Sequence, residues 1–213
     1  MIKKNLKTLI ITSIIILLPI VTGLILWDKL PEQIVTHFNA QGNPDGFSSK
    51  TFAVFGLPGF LLVLHWICAL GTSADPKSKN HSNKIVTLVL WICPVISLFV
   101  GSIIYTYAIG LNIDVALIMM LFFGVLFIVI GNYLPKCKQN YTIGIKISWT
   151  LNDEENWNYT HRISGKLWVA GGVILLLTAV FRQTWVFVVI TALMVIIPFL
   201  CSYLFYRKKN KKA

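Results

Sequence analysis

Charged residues are scarce in this chain, and acidic ones are scarcer than basic ones. Asp, Glu, Lys and Arg make up 13% of the 213 residues, against about 25% in an ordinary soluble domain. Hydrophobic side chains make up 56%, and a water-soluble fold of this length could not bury that much apolar surface. The composition excludes an ordinary cytosolic enzyme, a disordered protein and a small secreted disulfide scaffold. It indicates an integral membrane protein.

The sequence also lacks the motifs of common catalytic and metal sites. It contains no GxSxG, no HExxH and no glycine-rich phosphate loop, and none of its four cysteines forms a CxxC pair. A metal site before residue 50 is an alternative, but the spacing of its candidate ligands matches no standard pattern. Those candidates are Asp28, Glu32, His37 and Asp45. We therefore predict a protein that is not an enzyme and that binds no metal and no cofactor.

Six apolar segments are long enough to cross a bilayer, which takes about 20 residues in a helix. In lipid each backbone amide must be hydrogen-bonded within its own segment, so each is predicted to be a helix. The segments run from about Thr8 to Trp27, Thr51 to Leu70, Ile85 to Ile109, Val115 to Ile130, Leu167 to Phe181 and Trp185 to Tyr206. The fourth and fifth are short and are expected to borrow residues from their flanks. The predicted fold class is an all-α integral membrane protein.

The distribution of basic residues predicts how these helices are oriented. All but three of the 19 basic residues lie in the two terminal tails and in the loops 71–84 and 131–166; the exceptions are Lys29, Lys50 and Arg182. Loops rich in Lys and Arg stay on the cytoplasmic side. Both termini are therefore predicted to be cytoplasmic, with residues 28–50 outside. His65, at the inner end of the second segment, is expected to reach the lipid headgroups.

Two of the loops have the chemistry of ordered structure. The outer loop 28–50 combines a β-like stretch with a Gly-Asn-Pro-Asp-Gly turn, which predicts a short hairpin or cap. In the inner loop 131–166, Thr150 or Asn152 can cap a helix, and Trp149 and Trp157 are predicted to anchor the loop at the membrane interface. Asn132 and Asn140 are expected to support the turns of this loop by hydrogen bonds. The chain is predicted to divide into a two-helix unit, residues 1–70, and a four-helix unit, residues 85–206.

Both loops resemble one known family. The inner loop 131–166 is called the inner motif below. Its sequence, GNYLPKCKQNYTIGIKISWTLNDEENWNYTHRISGK, is similar to the motif of the Sdp immunity-protein family, the SdpI-like membrane proteins. The stretch LPEQIVTHFNAQGNPDGF is similar to the N-terminal domain found in many members. One departure is that Lys146, Ile147 and Ser148 stand where the family usually has Arg-Thr-Pro. A lysine cannot reproduce a bidentate arginine contact, so a partner contact at that position would differ here.

The resemblance implies a bacterial plasma-membrane protein that protects its producer from a secreted toxin peptide. It further implies a toxin sensor that recruits an ArsR-type transcriptional repressor to the membrane, with no direct contact to nucleic acid. Membrane lipids, the toxin peptide and the repressor are the partners expected on this hypothesis. The alternative is a small transporter or channel for a hydrophobic peptide or solute. Against ion-coupled transport, the predicted spans contain no Asp, Glu, Lys or Arg.

The hypothesis assigns residues to two faces. The toxin would meet the outer loop at His37, Phe38, Asn39, Gly42 and Asp45. The repressor would dock on the inner motif at Asn132, Pro135, Asn140, Gly144, Lys146, Trp149, Thr150, Trp157, His161 and Arg162.

Overall fold

The computed structural model describes residues 2–211 and is mostly helical. Six helices are long and apolar enough to cross a membrane, as the sequence predicts, and the chain is a multi-pass membrane protein. The long helices are α1 (Ile2–Ile25), α2 (Leu57–Ala74), α3 (Asn83–Ala108), α4 (Val115–Tyr133), α6 (Glu154–Thr178) and α7 (Thr184–Asn210). The remaining elements are a hairpin of β1 (Gln33–Phe38) and β2 (Pro44–Ser49), a π-helical turn before α2 (Phe52–Gly56) and a short helix α5 (Ser148–Asn152).

The fifth long helix, α6, starts much earlier than its apolar run. It begins at Glu154 rather than at Leu167, so most of the polar half of the inner motif is already helical. Its cap is Asp153, whose carboxylate accepts hydrogen bonds from the backbone N–H groups of Glu155 and Asn156. The prediction that Thr150 or Asn152 caps this helix is therefore wrong.

The chain folds as two compact units. Unit 1 consists of residues up to Ala74 together with Val86–Val115, and unit 2 consists of Asp75–Ile85 and the residues from Ala116 onward. Most of α3 thus belongs to unit 1 with α1 and α2.

Unit 1 is built around the hairpin. Asn39 Oδ1 accepts backbone hydrogen bonds from Gln41 and Asn43, both at 3.0 Å, and Gly42 supplies the positive φ of 81° that the turn needs. The strands are antiparallel. The β1 residue Ile34 is fully buried in a core with Val54 and four other residues. The structured connection predicted between the first two long helices is therefore a hairpin fixed to the helices by its apolar face.

His65 does not reach outward from unit 1. Its ring is 1% exposed, and Nε2 lies 3.0 Å from the hydroxyl of Thr12 on α1. Thr12 also donates to backbone carbonyls of its own helix. The prediction that His65 reaches the headgroups is wrong because a helix partner buries it.

In unit 2, α4 and α6 approach closely through glycines. A Cβ placed on Gly131 would lie 2.8 Å from Val169 N and 2.9 Å from Gly165 O, and Gly124 and Gly172 make a second contact of this kind. Close backbone contact through small residues is a common way for membrane helices to pack. The side chains between these contacts complete an apolar core that includes Phe127 and Leu175.

The proline inside α7 has its own partner. Pro198 has no N–H, so it leaves the carbonyl four residues earlier, that of Met194, without its helical donor. Trp168 Nε1 of α6 donates to that carbonyl at 3.2 Å. The Trp168 indole thus supplies the donor that Pro198 cannot.

Candidate functional site

The inner motif is held in shape by Asn140. This side chain is 2% exposed. Its amide N–H₂ donates to the carbonyls of Lys138 at 2.8 Å and Ile143 at 2.9 Å, while its Oδ1 accepts from the backbone N–H groups of Thr142 and Ile143. One buried amide thus fixes the irregular chain that follows α4, and the expectation that Asn140 supports the turns of this loop is confirmed.

A second buried anchor, Asp75, comes from the loop before α3. Its carboxylate is 4% exposed and accepts hydrogen bonds from the backbone N–H of Tyr141 at 2.9 Å and the hydroxyl of Thr142 at 2.8 Å. It also accepts from the N–H of Lys77 and from His81 Nε2. Burial raises the pKa of Asp75, but these four donors outweigh it and leave the pKa below its ordinary value. The charged carboxylate therefore holds the loop before α3 against the loop after α4.

Gln139 joins the same two loops to α5. Its amide N–H₂ donates to the carbonyls of Thr150 and Leu151, both at 2.9 Å. Its side-chain oxygen accepts from Lys77 Nζ, and its main-chain carbonyl accepts from Asn80 at 2.7 Å. Neither Asp75 nor Gln139 was among the predicted site residues, because their partners lie far away in sequence and no local spacing reveals them.

Trp157 lies at the centre of the motif and is completely buried. Its Nε1 donates to the carbonyl of Cys137 at 2.7 Å, and its ring stacks on His161 with the centroids 4.1 Å apart. Burial raises the pKa of the adjacent Cys137 thiol, which keeps it protonated. Because Trp157 is enclosed by protein, the prediction that it anchors the loop at the membrane interface is wrong.

The hydrogen bonds of His161 define its protonation state. Nδ1 donates to the carbonyl of Trp157 at 2.8 Å, and Nε2 accepts from the backbone N–H of Ile145 at 3.0 Å. A ring with one donating and one accepting nitrogen is neutral. Gly144, with φ of 115°, lies against this ring at a position where any Cβ would collide with it.

A polar node connects α6 to α7. Asn156 is fully buried, donates to the carbonyl of Ser202 at 3.1 Å, and accepts from the Ser202 hydroxyl at 2.8 Å and from Thr160 at 3.0 Å. Trp149 donates to the same Ser202 hydroxyl at 2.8 Å and packs against aromatic rings of α7. The sequence does contain a signal for this node: Asn156, Thr160 and Ser164 recur at helical spacing and are all buried.

The predicted inner residues therefore divide by exposure. Asn140, Thr150, Trp157 and His161 are buried, so they shape the motif and are not available to a partner. Gly144 and Trp149 are half-buried. The exposed members are Asn132, Pro135, Lys146 and Arg162. Asn132 makes no side-chain hydrogen bond among the residues that the structure describes, so its expected support of the turn is absent there.

The predicted outer residues all lie on or beside the hairpin turn. His37 Nδ1 and Asp45 Oδ1 are 2.5 Å apart, with side chains 72% and 42% exposed. Phe38 packs edge-on against Tyr107 of α3, with centroids 5.2 Å apart. Asn39 and Gly42 build the turn itself. Residues 2–211 contain no cluster of three or more His, Cys, Asp or Glu that could hold a metal ion.

Comparisons with known proteins match one segment in each of the two compact units. Residues 136–203, from just after α4 into α7, match the SdpI/YfhL protein family. Residues 14–62, which include the hairpin, match a domain of unknown function (DUF1648). The chain is similar to the Immunity protein SdpI of Bacillus subtilis (strain 168), with 28% identity over 216 residues and 98% of each chain covered. No solved structure matches. The resemblance to the SdpI family is confirmed.

Proposed function

We propose that this protein is a bacterial plasma-membrane immunity protein that protects the cell from a secreted toxin peptide. The observation that carries the proposal is the similarity to the Immunity protein SdpI along 98% of both chains. That similarity spans the hairpin and the inner motif alike, so both of the ordered polar regions are included. The six helices that are long and apolar enough to cross a membrane support the proposal, which requires a protein of the membrane that such a toxin attacks.

The toxin would be met at the hairpin, on the outer side. The His37–Asp45 pair is exposed, and such ion pairs contribute only about 0–1 kcal/mol to stability. Phe47 on β2 is 59% exposed. These three side chains are thus not needed to hold the hairpin together and are available to a peptide, whereas Asn39 and Gly42 act by shaping the turn.

Survival of a toxin-sensitive strain tests this assignment. Cells expressing the wild-type chain should survive the toxin. The double variant His37→Ala/Asp45→Ala should lose protection although its amount in the membrane is unchanged. Gln41→Ala is the matched control, because Gln41 is an exposed residue of the same turn. Full protection by the double variant would remove the hairpin from the toxin site.

A repressor would dock on the opposite, cytoplasmic side. The loop after α4 exposes Lys138, Tyr141 and Lys146, while buried Asp75 and Asn140 hold its backbone in place. A basic surface on a backbone that is already ordered suits a partner with an acidic face, since little conformational entropy is lost on binding. This surface supports the further proposal that the protein senses the toxin and recruits an ArsR-type repressor.

A pull-down of the repressor encoded beside the gene tests recruitment. Lys138→Ala/Lys146→Ala should reduce the captured repressor about tenfold, at about 1 kcal/mol or less for each charge. Lys208→Ala/Lys211→Ala removes the same charge from exposed positions at and just beyond the end of α7 and should capture it normally. If both double variants capture the repressor equally, the loop is not its docking surface.

Liposome flux separates this function from a transporter or channel. Purified protein in liposomes should pass no hydrophobic peptide or solute in the absence of toxin. Steady flux without toxin, together with no protection of sensitive cells, would favour transport.

A further inference from the structure

A groove in unit 2 lies between the start of α6 and the end of α7. It encloses about 480 Å³, with an aromatic floor made by Tyr159 and Phe205, whose rings stack with centroids 4.8 Å apart. The complete lining is Glu155, Asn158, Tyr159, Arg162, Ile163, Lys166 and Phe205. A cavity of this composition combines a flat apolar surface with charged groups at its edge.

The charge of the groove is positive. Arg162 and Lys166 are one helical turn apart on α6, so they lie on the same face. Both are exposed, and neither makes an ion pair within residues 2–211. Glu155, the acidic member of the lining, is paired with Lys209 Nζ at 3.0 Å. The groove therefore offers two cations and little opposing charge.

The position of the groove along the helices is equally informative. On α6 the apolar run begins at Leu167, directly after Lys166, and on α7 the apolar run ends at Tyr206, directly before Arg207. The two helices are antiparallel neighbours, as the contacts Asn156–Ser202 and Trp168–Met194 show. Trp168 faces Met194 and Asn156 faces Ser202, so the two changes lie at different levels, and the groove spans the stretch between them, with Lys166 at the α6 change and Phe205 beside the α7 change. This stretch, from the start of one apolar run to the end of the other, is where we expect the lipid headgroups.

We propose that this groove binds the headgroup of an anionic phospholipid. The guanidinium of Arg162 can hold phosphate oxygens through two parallel hydrogen bonds, and Lys166 adds a second cation. Ile163 and the Tyr159–Phe205 floor accept the glycerol and the first methylene groups. This assignment separates Arg162 from the repressor surface, to which its place in the motif had attached it.

Lipid binding to purified, delipidated protein tests the proposal. The probes are phosphatidylglycerol and phosphatidylcholine with identical acyl chains, titrated in neutral detergent and counted by native mass spectrometry. Wild-type protein should bind phosphatidylglycerol about thirtyfold more tightly, which corresponds to two cations at about 1 kcal/mol each. Arg162→Gln/Lys166→Gln should lose this preference. Glu155→Gln should increase it, because it removes the acidic group from the lining of the groove.

The matched control is Lys79→Gln/Lys84→Gln, which removes equal charge from exposed positions outside the groove and should keep the preference. Equal affinity of wild-type protein for the two lipids would overturn the proposal, as would a preference that survives in the Arg162/Lys166 variant. Two further outcomes would also overturn it. One is binding of inorganic phosphate with no lipid preference, which indicates a free-anion site. The other is normal lipid binding with lost repressor capture in the same variant, which indicates a protein-docking surface.

Discussion

At the scale of single residues, buried polar groups decide the shape of the inner motif. Asp75, Gln139 and Asn140 are each at most 8% exposed, and each makes several hydrogen bonds to the backbone of loops that have no regular structure. Backbone groups outside helices and sheets must find such partners when they are buried. These three side chains therefore take the place of secondary structure between α4 and α5.

The charge of Asp75 should be visible in the pH dependence of stability. Asp75→Asn turns an acceptor of four hydrogen bonds into a side chain with a donating N–H₂ group, and we expect a loss of about 3 kcal/mol at pH 7. Because the folded-state pKa is lowered, the stabilisation by the carboxylate is complete well above its ordinary pKa and is lost as the pH falls through the folded value.

Thermal unfolding of the purified protein in detergent between pH 7 and pH 3 measures this effect. The difference between wild-type protein and Asp75→Asn should shrink as the pH falls. Asp45→Asn, in an exposed pair, should cost no more than about 1 kcal/mol. A difference that stays constant over the whole range would show that the carboxylate is not charged in the folded protein.

Trp157 permits a local test of the core. Trp157→Phe removes the N–H that satisfies the Cys137 carbonyl and leaves a gap beside His161, for an expected cost of about 2–3 kcal/mol. In a background where Cys137 is the remaining cysteine, its reaction with a thiol reagent should become faster. Trp185→Phe is the control, since Trp185 is 62% exposed, and it should leave the rate unchanged. No change with Trp157→Phe would mean that the ring does not seal the thiol.

At the scale of elements, hydropathy and turn chemistry predict which segments are ordered but not what they pack against. Six helices follow from the length of the apolar runs, and the hairpin follows from its turn residues. The early start of α6 does not, because residues 154–166 are polar and suggest a surface segment. One face of this segment, with Asn156, Thr160 and Ser164, is buried because its polar groups bond within the helix and to Ser202, which depends on tertiary contacts.

The glycine contacts between α4 and α6 belong to this scale. Gly131→Ala places a Cβ against the backbone of α6 and should destabilise the protein by about 1–3 kcal/mol. Gly71→Ala is a matched control on α2, where a Cβ meets nothing within 4 Å and the gain in helix propensity is the same. Thermal unfolding of the two variants should therefore shift in opposite directions. Equal shifts would mean that α4 and α6 are not in close contact.

At the scale of the whole molecule, the basic residues predict orientation, and the structure selects the positions that can report it. Asn43 lies exposed in the hairpin turn, and a cysteine there should react with an impermeant thiol reagent in intact cells. Ser148 is exposed at the start of α5, and a cysteine there should react only after the cells are opened. Asn156, within the same predicted cytoplasmic loop, is fully buried, so a cysteine there would not react with the reagent on either side of the membrane. The reverse labelling pattern would invert the predicted topology.

The sequence could indicate the family resemblance at the same scale because the two motifs are local. Residues 30–47 and 131–166 are continuous stretches, so their resemblance to a family is visible without any knowledge of the fold. The candidate contact residues could not be separated from the structural ones in this way. Lys146 and His161 belong to one motif, yet the first is exposed and the second is enclosed.

The helices of unit 2 differ in mechanical stiffness. α6 extends for 25 residues without a proline, roughly 37 Å, and is clamped to α4 by backbone contacts at Gly131. α7 is interrupted at Pro198, where an indole replaces the missing amide. We therefore expect the packed pair of α4 and α6 to be stiff, and α7 to be more easily bent at Pro198 than elsewhere along its length. A displacement of the capped start of α6 should therefore move the whole helix. A displacement of the basic end of α7 should instead bend that helix at Pro198.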